Sequence, residues 1–242
     1  MEYQPWPPNS ARRAWANKFQ ATIEILLFSG LVSGILAALP VYAIEGQRAL
    51  MNNAVSTSLF LLLESGISFL LLIMLLKLHG ERFQDLGLRW NRWRPNVIAG
   101  VLLVPFLFLI GAIVSSVFRA YFPRYYMETN PLTNMIHTPQ QLGLFIFSAL
   151  IAGGIKEELQ RAFIITRFHQ HLGGAGVGLV LWSLVFGAGH YVQGVQGMAI
   201  ASIYGFLFGL IYIISGSLIA PIVAHGAYDT LALLGYWFLS RQ

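Results

Sequence analysis

The chain has 242 residues, 56% of them hydrophobic and only 10% charged, with a mean hydropathy of +0.64. Soluble domains carry about 25% charged residues, and 15 Lys and Arg with 10 Asp and Glu cannot coat a water-facing globule of this length. A soluble enzyme and a disordered chain are both excluded, which leaves an integral membrane protein embedded in a lipid bilayer. Cysteine is absent, so disulfides, thiolate metal sites and cysteine nucleophiles are excluded too. The formal net charge of +5 is read as basic cytoplasmic loops rather than as an acidic partner. No nucleic-acid partner is expected.

In chain order, residues 1–18 are polar, Pro-rich and basic, with Arg12, Arg13 and Lys18. They read as a cytoplasmic N-terminal segment. The Arg12-Arg13 pair is taken as the flank of an anchor helix, not as a twin-arginine signal. An apolar run from about Phe19 to Ile44 exceeds the core of a cleavable signal and predicts a first membrane helix. A second span is expected over about Ala54–Leu76. A basic, Trp-rich loop with Lys77, Arg82, Arg89, Arg92 and Arg94 follows. A third span is expected over Val97–Phe118. After a Pro-containing loop, a fourth helix should start near Gln141 and run to about His169, ended by Gly173-Gly174-Ala175-Gly176. Further apolar stretches cover 177–191, 197–214 and 218–238. The expected fold is all-α, a polytopic transmembrane helix bundle of about seven spans (six to eight). Residues 19–242 form a single membrane domain, and Lys and Arg in the N-terminal segment and second loop put the N-terminus inside.

Ionisable residues within apolar runs are costly and mark functional sites by default. The fourth helix carries Lys156, Glu157, Glu158 and Arg161. Arg161 is i+4 from Glu157 and i+3 from Glu158, and the adjacent glutamates point about 100° apart on a helix. One glutamate can thus face a cavity while the other pairs with Arg161. An ordinary helix end capped by charge is the competing interpretation. His190 ends an apolar run, and His225 and Asp229 are i,i+4 neighbours on the last one. Two carboxylates, two histidines and an aspartate suffice to activate water and stabilise an oxyanion. Glu64 is a further carboxylate inside an apolar run, able to line the cavity or to bond Ser65 or Ser68. His79 and His137 are read as loop residues, and His169 and His171 likewise.

The Glu-Glu…Arg, Phe-x-x-x-His and His-x-x-x-Asp motifs, in this order on successive spans, resemble the CAAX protease and bacteriocin-processing family, which includes the type 2 CAAX prenyl endopeptidases. The resemblance covers a core at about 142–235, with Leu86-Gly87-Leu88-Arg89 also family-like. It implies an intramembrane endopeptidase acting on a peptide or protein substrate at or in the membrane, prenylated in some members. Carried over, Glu157 would be the general base, with Glu158 and Arg161 supporting it. His190 would help to hold water, and His225 and Asp229 would stabilise the oxyanion. Asp229 stands where many members have Asn; an ionised carboxylate cannot donate, so its expected role is to orient His225.

The family usually places three residues between the second Glu and the Arg, and here only Leu159 and Gln160 intervene. Aligned on Arg161, Lys156 would fall at the first Glu position. The glutamate alignment is adopted because a lysine cannot replace the carboxylate. Helix depths of roughly 24 Å for Glu157, 20 Å for His190 and 10 Å for His225 meet only if the fourth helix is long or tilted. No His-Glu-x-x-His helix is present, and the reading is cofactor-free. The open alternatives are a metal-dependent protease using an ion such as zinc, a non-catalytic immunity factor, and a proton-coupled transporter.

Overall fold

The computed structural model describes residues 18–45, 53–90 and 92–239. The proposed cytoplasmic segment, apart from Lys18, lies outside the described residues, as does Arg48. Among the described residues there is no strand. The helix expected from Phe19 to Ile44 is broken in two, α1 (Lys18–Phe28) and α2 (Leu31–Glu45). The break falls at Gly30, whose φ of 93° is left-handed and poorly tolerated by residues with a Cβ. α3 (Ala54–His79) starts on Asn53, whose side chain accepts from the Val55 amide, and stops at left-handed Gly80. α4 is Trp93–Tyr121.

α5 (Pro139–Ala149) opens with Pro139 at its first turn and a capping box between Thr138 and Gln141. It passes without a break into a π-helical segment, Leu150–Glu157, and then into α6 (Glu158–His171). The fourth helix is therefore one long rod with an irregular middle. It runs past the expected end, so His169 and His171 sit in its last turn rather than in a loop. His79 is likewise the last residue of α3. α7 (Ala175–Gly189), α8 (Gly194–Ser215) and α9 (Ile219–Leu239) complete the bundle.

α6 is the central helix: Glu158 to Arg167 are all buried. Phe163, Ile164 and Ile165 pack with Phe28, Leu72, Leu76, Leu179, Trp182 and Tyr212 from the surrounding helices. Its polar residues find partners inside. Thr166 and the Tyr212 hydroxyl lie 3.3 Å apart. The Gln160 amide donates to the Phe28 carbonyl, an acceptor that the end of α1 leaves unpaired. Close helix crossings use small residues, as membrane bundles do. A Cβ on Gly100 of α4 would lie 2.7 Å from the Ala220 carbonyl oxygen of α9. Gly87, with φ of 86°, packs its loop against the α8–α9 turn, and its carbonyl accepts from the Leu218 amide at 3.0 Å. The Leu86-Gly87-Leu88 motif is thus a docking loop.

Large apolar side chains face outward along the rods, among them Leu31, Leu70, Leu102, Phe106 and Ile214, as expected where lipid is the solvent. Among the described residues, four stretches are long and apolar enough to cross a membrane: Lys18–Ala43, Ala54–His79, Trp93–Tyr121 and Tyr191–Ser215. The other three expected spans fall outside that set for identifiable reasons. α7 has only 15 residues, the α5–α6 rod carries buried charges, and α9 is diluted by His225 and Asp229.

Candidate active site

The π segment decides how the glutamates are presented. Such i→i+5 turns are rare and concentrate at functional sites. Here the turn ends on Glu157, so Glu157 closes the irregular stretch and Glu158 opens the regular helix. The two carboxylates are correspondingly unlike. The Glu158 side chain is fully buried, whereas that of Glu157 keeps 18% of its surface.

Glu158 forms an ion pair with Arg161. The Arg161 guanidinium lies against two rings, 4.7 Å from the centre of Phe186 and 5.5 Å from that of Phe208. Cation–π contact offsets part of the cost of burying it. Glu158 Oε1 also accepts a hydrogen bond at 2.8 Å from Nδ1 of His225. An ionised carboxylate can only accept, so the proton of that bond belongs to Nδ1. Phe208 stacks on the His225 ring at 5.0 Å and 23°. The imidazole is thereby fixed through its plane and through one nitrogen.

The other nitrogen, Nε2, faces Glu157 Oε2 at 3.9 Å and Asp229 Oδ2 at 3.6 Å. The Asp229 side chain keeps 27% of its surface. α9 reaches this position because the π segment is glycine-rich. A Cβ on Gly153 would sit 2.7 Å from Asp229 Oδ2 and 3.3 Å from His225 Nε2, and one on Gly154 would sit 3.3 Å from the Gly226 Cα. Beside the cluster, an apolar groove of about 400 Å³ runs between the π segment and α9, lined by Leu150, Gly154, Ile155, Ile222 and Gly226 among others.

Five of the six residues singled out from sequence, Glu157, Glu158, Arg161, His225 and Asp229, form one connected cluster. His190 joins it only indirectly. Its Nδ1–H donates to the Phe186 carbonyl at 2.8 Å, and its ring lies 4.6 Å from that of Phe186. Phe186 carries Arg161 on the same ring. The bond to Phe186 leaves Nε2 of a neutral His190 as an acceptor.

A divalent ion would need three or more side-chain donors converging on one point. Among the described residues, no group of three His, Asp or Glu is so arranged. His225 Nδ1 is committed to Glu158, and Glu158 to Arg161. These commitments leave His225 Nε2, Glu157 and Asp229 as the open donors of the cluster.

Two sets of charge pairings escaped the sequence reading. Lys156 is buried and paired with Glu64, Nζ to Oε2 2.8 Å. Glu64 bonds Ser68, as one expected option had it, whereas Ser65 turns to the Leu61 carbonyl. The second group lies toward the end of α6. Arg167 donates to Glu24 at 2.8 Å and to Glu81 at 2.7 Å, and His79 meets Glu24 at 2.6 Å. Glu24 was readable in principle as a carboxylate inside the first apolar run. Its partners were not, because each comes from a different helix or loop.

Residues 138–231 match the family model for Rce1-like type II CAAX prenyl endopeptidases. No curated protein and no solved structure matches the chain. The matched segment begins at the cap of α5 and ends just beyond Asp229 in α9, enclosing both glutamates, Arg161, both histidines and Asp229. The CAAX-protease resemblance read from the motifs is thus supported by the family match over the part of the chain that builds this cluster, and that family points to a protease.

Proposed function

We propose that the chain is an intramembrane endopeptidase that hydrolyses a peptide bond of a membrane-embedded or membrane-proximal substrate with water activated by Glu157. The observation that carries this reading is the asymmetry of the glutamate pair around His225. Glu158 is sealed, and its Oε1 is held by both Arg161 and His225 Nδ1. Glu157 is partly accessible and faces the opposite nitrogen. A base must reach water, and of the two only Glu157 has exposed surface through which water could reach it.

In the proposed reaction, water between Glu157 and the scissile carbonyl gives a proton to the Glu157 carboxylate as its oxygen attacks the carbonyl carbon. Negative charge then develops on the carbonyl oxygen. His225, as an imidazolium with a hydrogen on each nitrogen among the carboxylates of Glu157, Glu158 and Asp229, donates to it from Nε2, with Glu158 holding the ring in orientation, a geometry prepared before the reaction. Asp229 orients His225 from the Nε2 side. The proton on Glu157 passes to the leaving amine, and the C–N bond breaks. His190, tied to Phe186, offers Nε2 as an acceptor for the attacking water. No step is routed through a metal.

The basic loop between α3 and α4 and the basic N-terminal segment support a cytoplasmic N-terminus. The family description supports prenylated CAAX-type peptides as the first substrates to test. The test is cleavage of an internally quenched, farnesylated CAAX peptide by the detergent-purified chain, with and without chelator. Cleavage that resists chelation and is lost in Glu157→Ala, Glu158→Ala and His190→Ala is expected. Cleavage surviving all three substitutions would remove the assignment. Proton-coupled uptake into proteoliposomes without cleavage would favour a transporter.

A further inference from the structure

The proposed chemistry leaves Lys156 without a role, although a buried ammonium in a membrane helix is costly. Its Nζ lies 2.8 Å from Glu64 Oε2 and 4.0 Å from Glu157 Oε1. Glu64 is itself tied down: its Oε1 accepts from Ser33 Oγ at 2.7 Å, and the one Ser68 hydroxyl hydrogen is shared between Glu64 Oε1 and Ser33 Oγ, each 3.0 Å away. Ser33 belongs to α2, and Glu64 and Ser68 to α3. Two helices outside the family-matched segment therefore fix an anion beside the helix that carries the glutamates.

The Glu157 carboxylate lies between two nitrogens. Oε1 faces Lys156 Nζ at 4.0 Å, and Oε2 faces His225 Nε2 at 3.9 Å. Neither separation is a hydrogen bond, and the two nitrogens act on the carboxylate by charge, drawing one oxygen to each side. With Lys156 gone, only His225 would restrain it, and the side chain would be free to rotate toward water. Buried ion pairs contribute little net stability compared with apolar residues of the same volume, so stability alone is a weak reason for the Lys156–Glu64 pair.

We propose that Lys156, anchored by Glu64, Ser33 and Ser68, is a positioning residue for Glu157 that holds its carboxylate facing His225, so that α2 and α3 complete the active site from outside its motifs. This rests on Glu157 being the base.

The test uses the full chain in detergent, the farnesylated CAAX peptide, and thermal unfolding as a fold check. Lys156→Met is expected to lower kcat about tenfold or more, because misplacing a reacting group by an ångström costs up to about 10²-fold. KM should stay within about twofold, and Lys156→Arg should recover most of kcat. Glu64→Gln, which frees the ammonium, should lower kcat in the same direction and serves if Lys156→Met does not fold. The charge swap, Lys156→Glu with Glu64→Lys, keeps a buried pair but places an anion beside Glu157. Its melting temperature should recover while kcat stays low. Recovery of kcat in the swap, or wild-type kcat in Lys156→Met, would overturn the proposal. A reading free of substrate is the infrared carboxylate band of Glu157, isolated by difference from Glu157→Gln. It should move in Lys156→Met, and an unmoved band would also overturn the proposal. Full activity in Glu157→Gln would instead sink the base assignment. An inactive Glu157→Gln beside an unaffected Lys156→Met would sink the positioning role alone.

Discussion

Gly153→Ala adds a single methyl group where the π segment meets α9. The new Cβ would lie 2.7 Å from Asp229 Oδ2, where contacts below about 3.4 Å are rare, so the carboxylate or the backbone must yield by about 0.7 Å. His225 Nε2, at 3.3 Å from the same point, must shift slightly as well. Overpacking of this size costs about 1–3 kcal/mol, and replacing a helical Gly by Ala returns about 1 kcal/mol. Net stability should therefore change by no more than about 2 kcal/mol. Catalysis should suffer more, because a shift of this size in the groups around the scissile bond costs roughly 10- to 100-fold. The assay is kcat on the quenched farnesylated peptide alongside thermal unfolding in the same detergent. Gly143→Ala is the control, since a Cβ there meets nothing within 4 Å. A Gly153→Ala protein cleaving at the wild-type rate would refute the claim that the placement of Asp229 and His225 matters to the reaction.

Three other outcomes follow from the buried polar contacts. Arg167→Met leaves Glu24 and Glu81 facing each other's charge without their shared cation. It should destabilise the fold by about 3–5 kcal/mol, seen as a clear drop in melting temperature; an unchanged melting curve would contradict it. Gln160→Leu removes the donor to the Phe28 carbonyl and should cost about 1–3 kcal/mol. Hydrogen exchange at the end of α1 should rise, and unchanged protection there would count against the contact. Removal of divalent ions by chelator should leave peptide cleavage within about twofold of the untreated rate, since no step is routed through a metal; loss on chelation with recovery on adding zinc would reverse the metal-free reading.

The helices were legible because period and polarity act locally. The ends of α3 at Asn53 and Gly80 and of α5 at Thr138 and Pro139 follow from capping chemistry within a few residues. The break at Gly30 was missed because an isolated Gly inside an apolar run does not announce a left-handed φ. The π segment was equally hidden, since nothing in Leu-Ile-Ala-Gly-Gly-Ile-Lys-Glu separates an i→i+5 turn from an ordinary one. The cluster of Glu157, Glu158, Arg161, His225 and Asp229 was legible because charges inside apolar runs stand out. Partner choice was not. That Arg161 takes Glu158 rather than Glu157, and Lys156 takes Glu64, is decided by the rotation of the rod and by helices distant in sequence. Glu24, His79, Glu81 and Arg167 likewise look unrelated until α1, α3 and α6 are packed together.

The most direct test is a comparison of Glu157→Gln with the wild-type chain in single-turnover cleavage of the farnesylated peptide, with folding verified by thermal unfolding. Glutamine keeps the size and polarity of the side chain but cannot take a proton from water. A folded Glu157→Gln protein should lose about 10²- to 10⁴-fold in rate, the usual worth of a general base. A folded Glu157→Gln protein that retains a tenth or more of the wild-type rate would contradict Glu157 as the base.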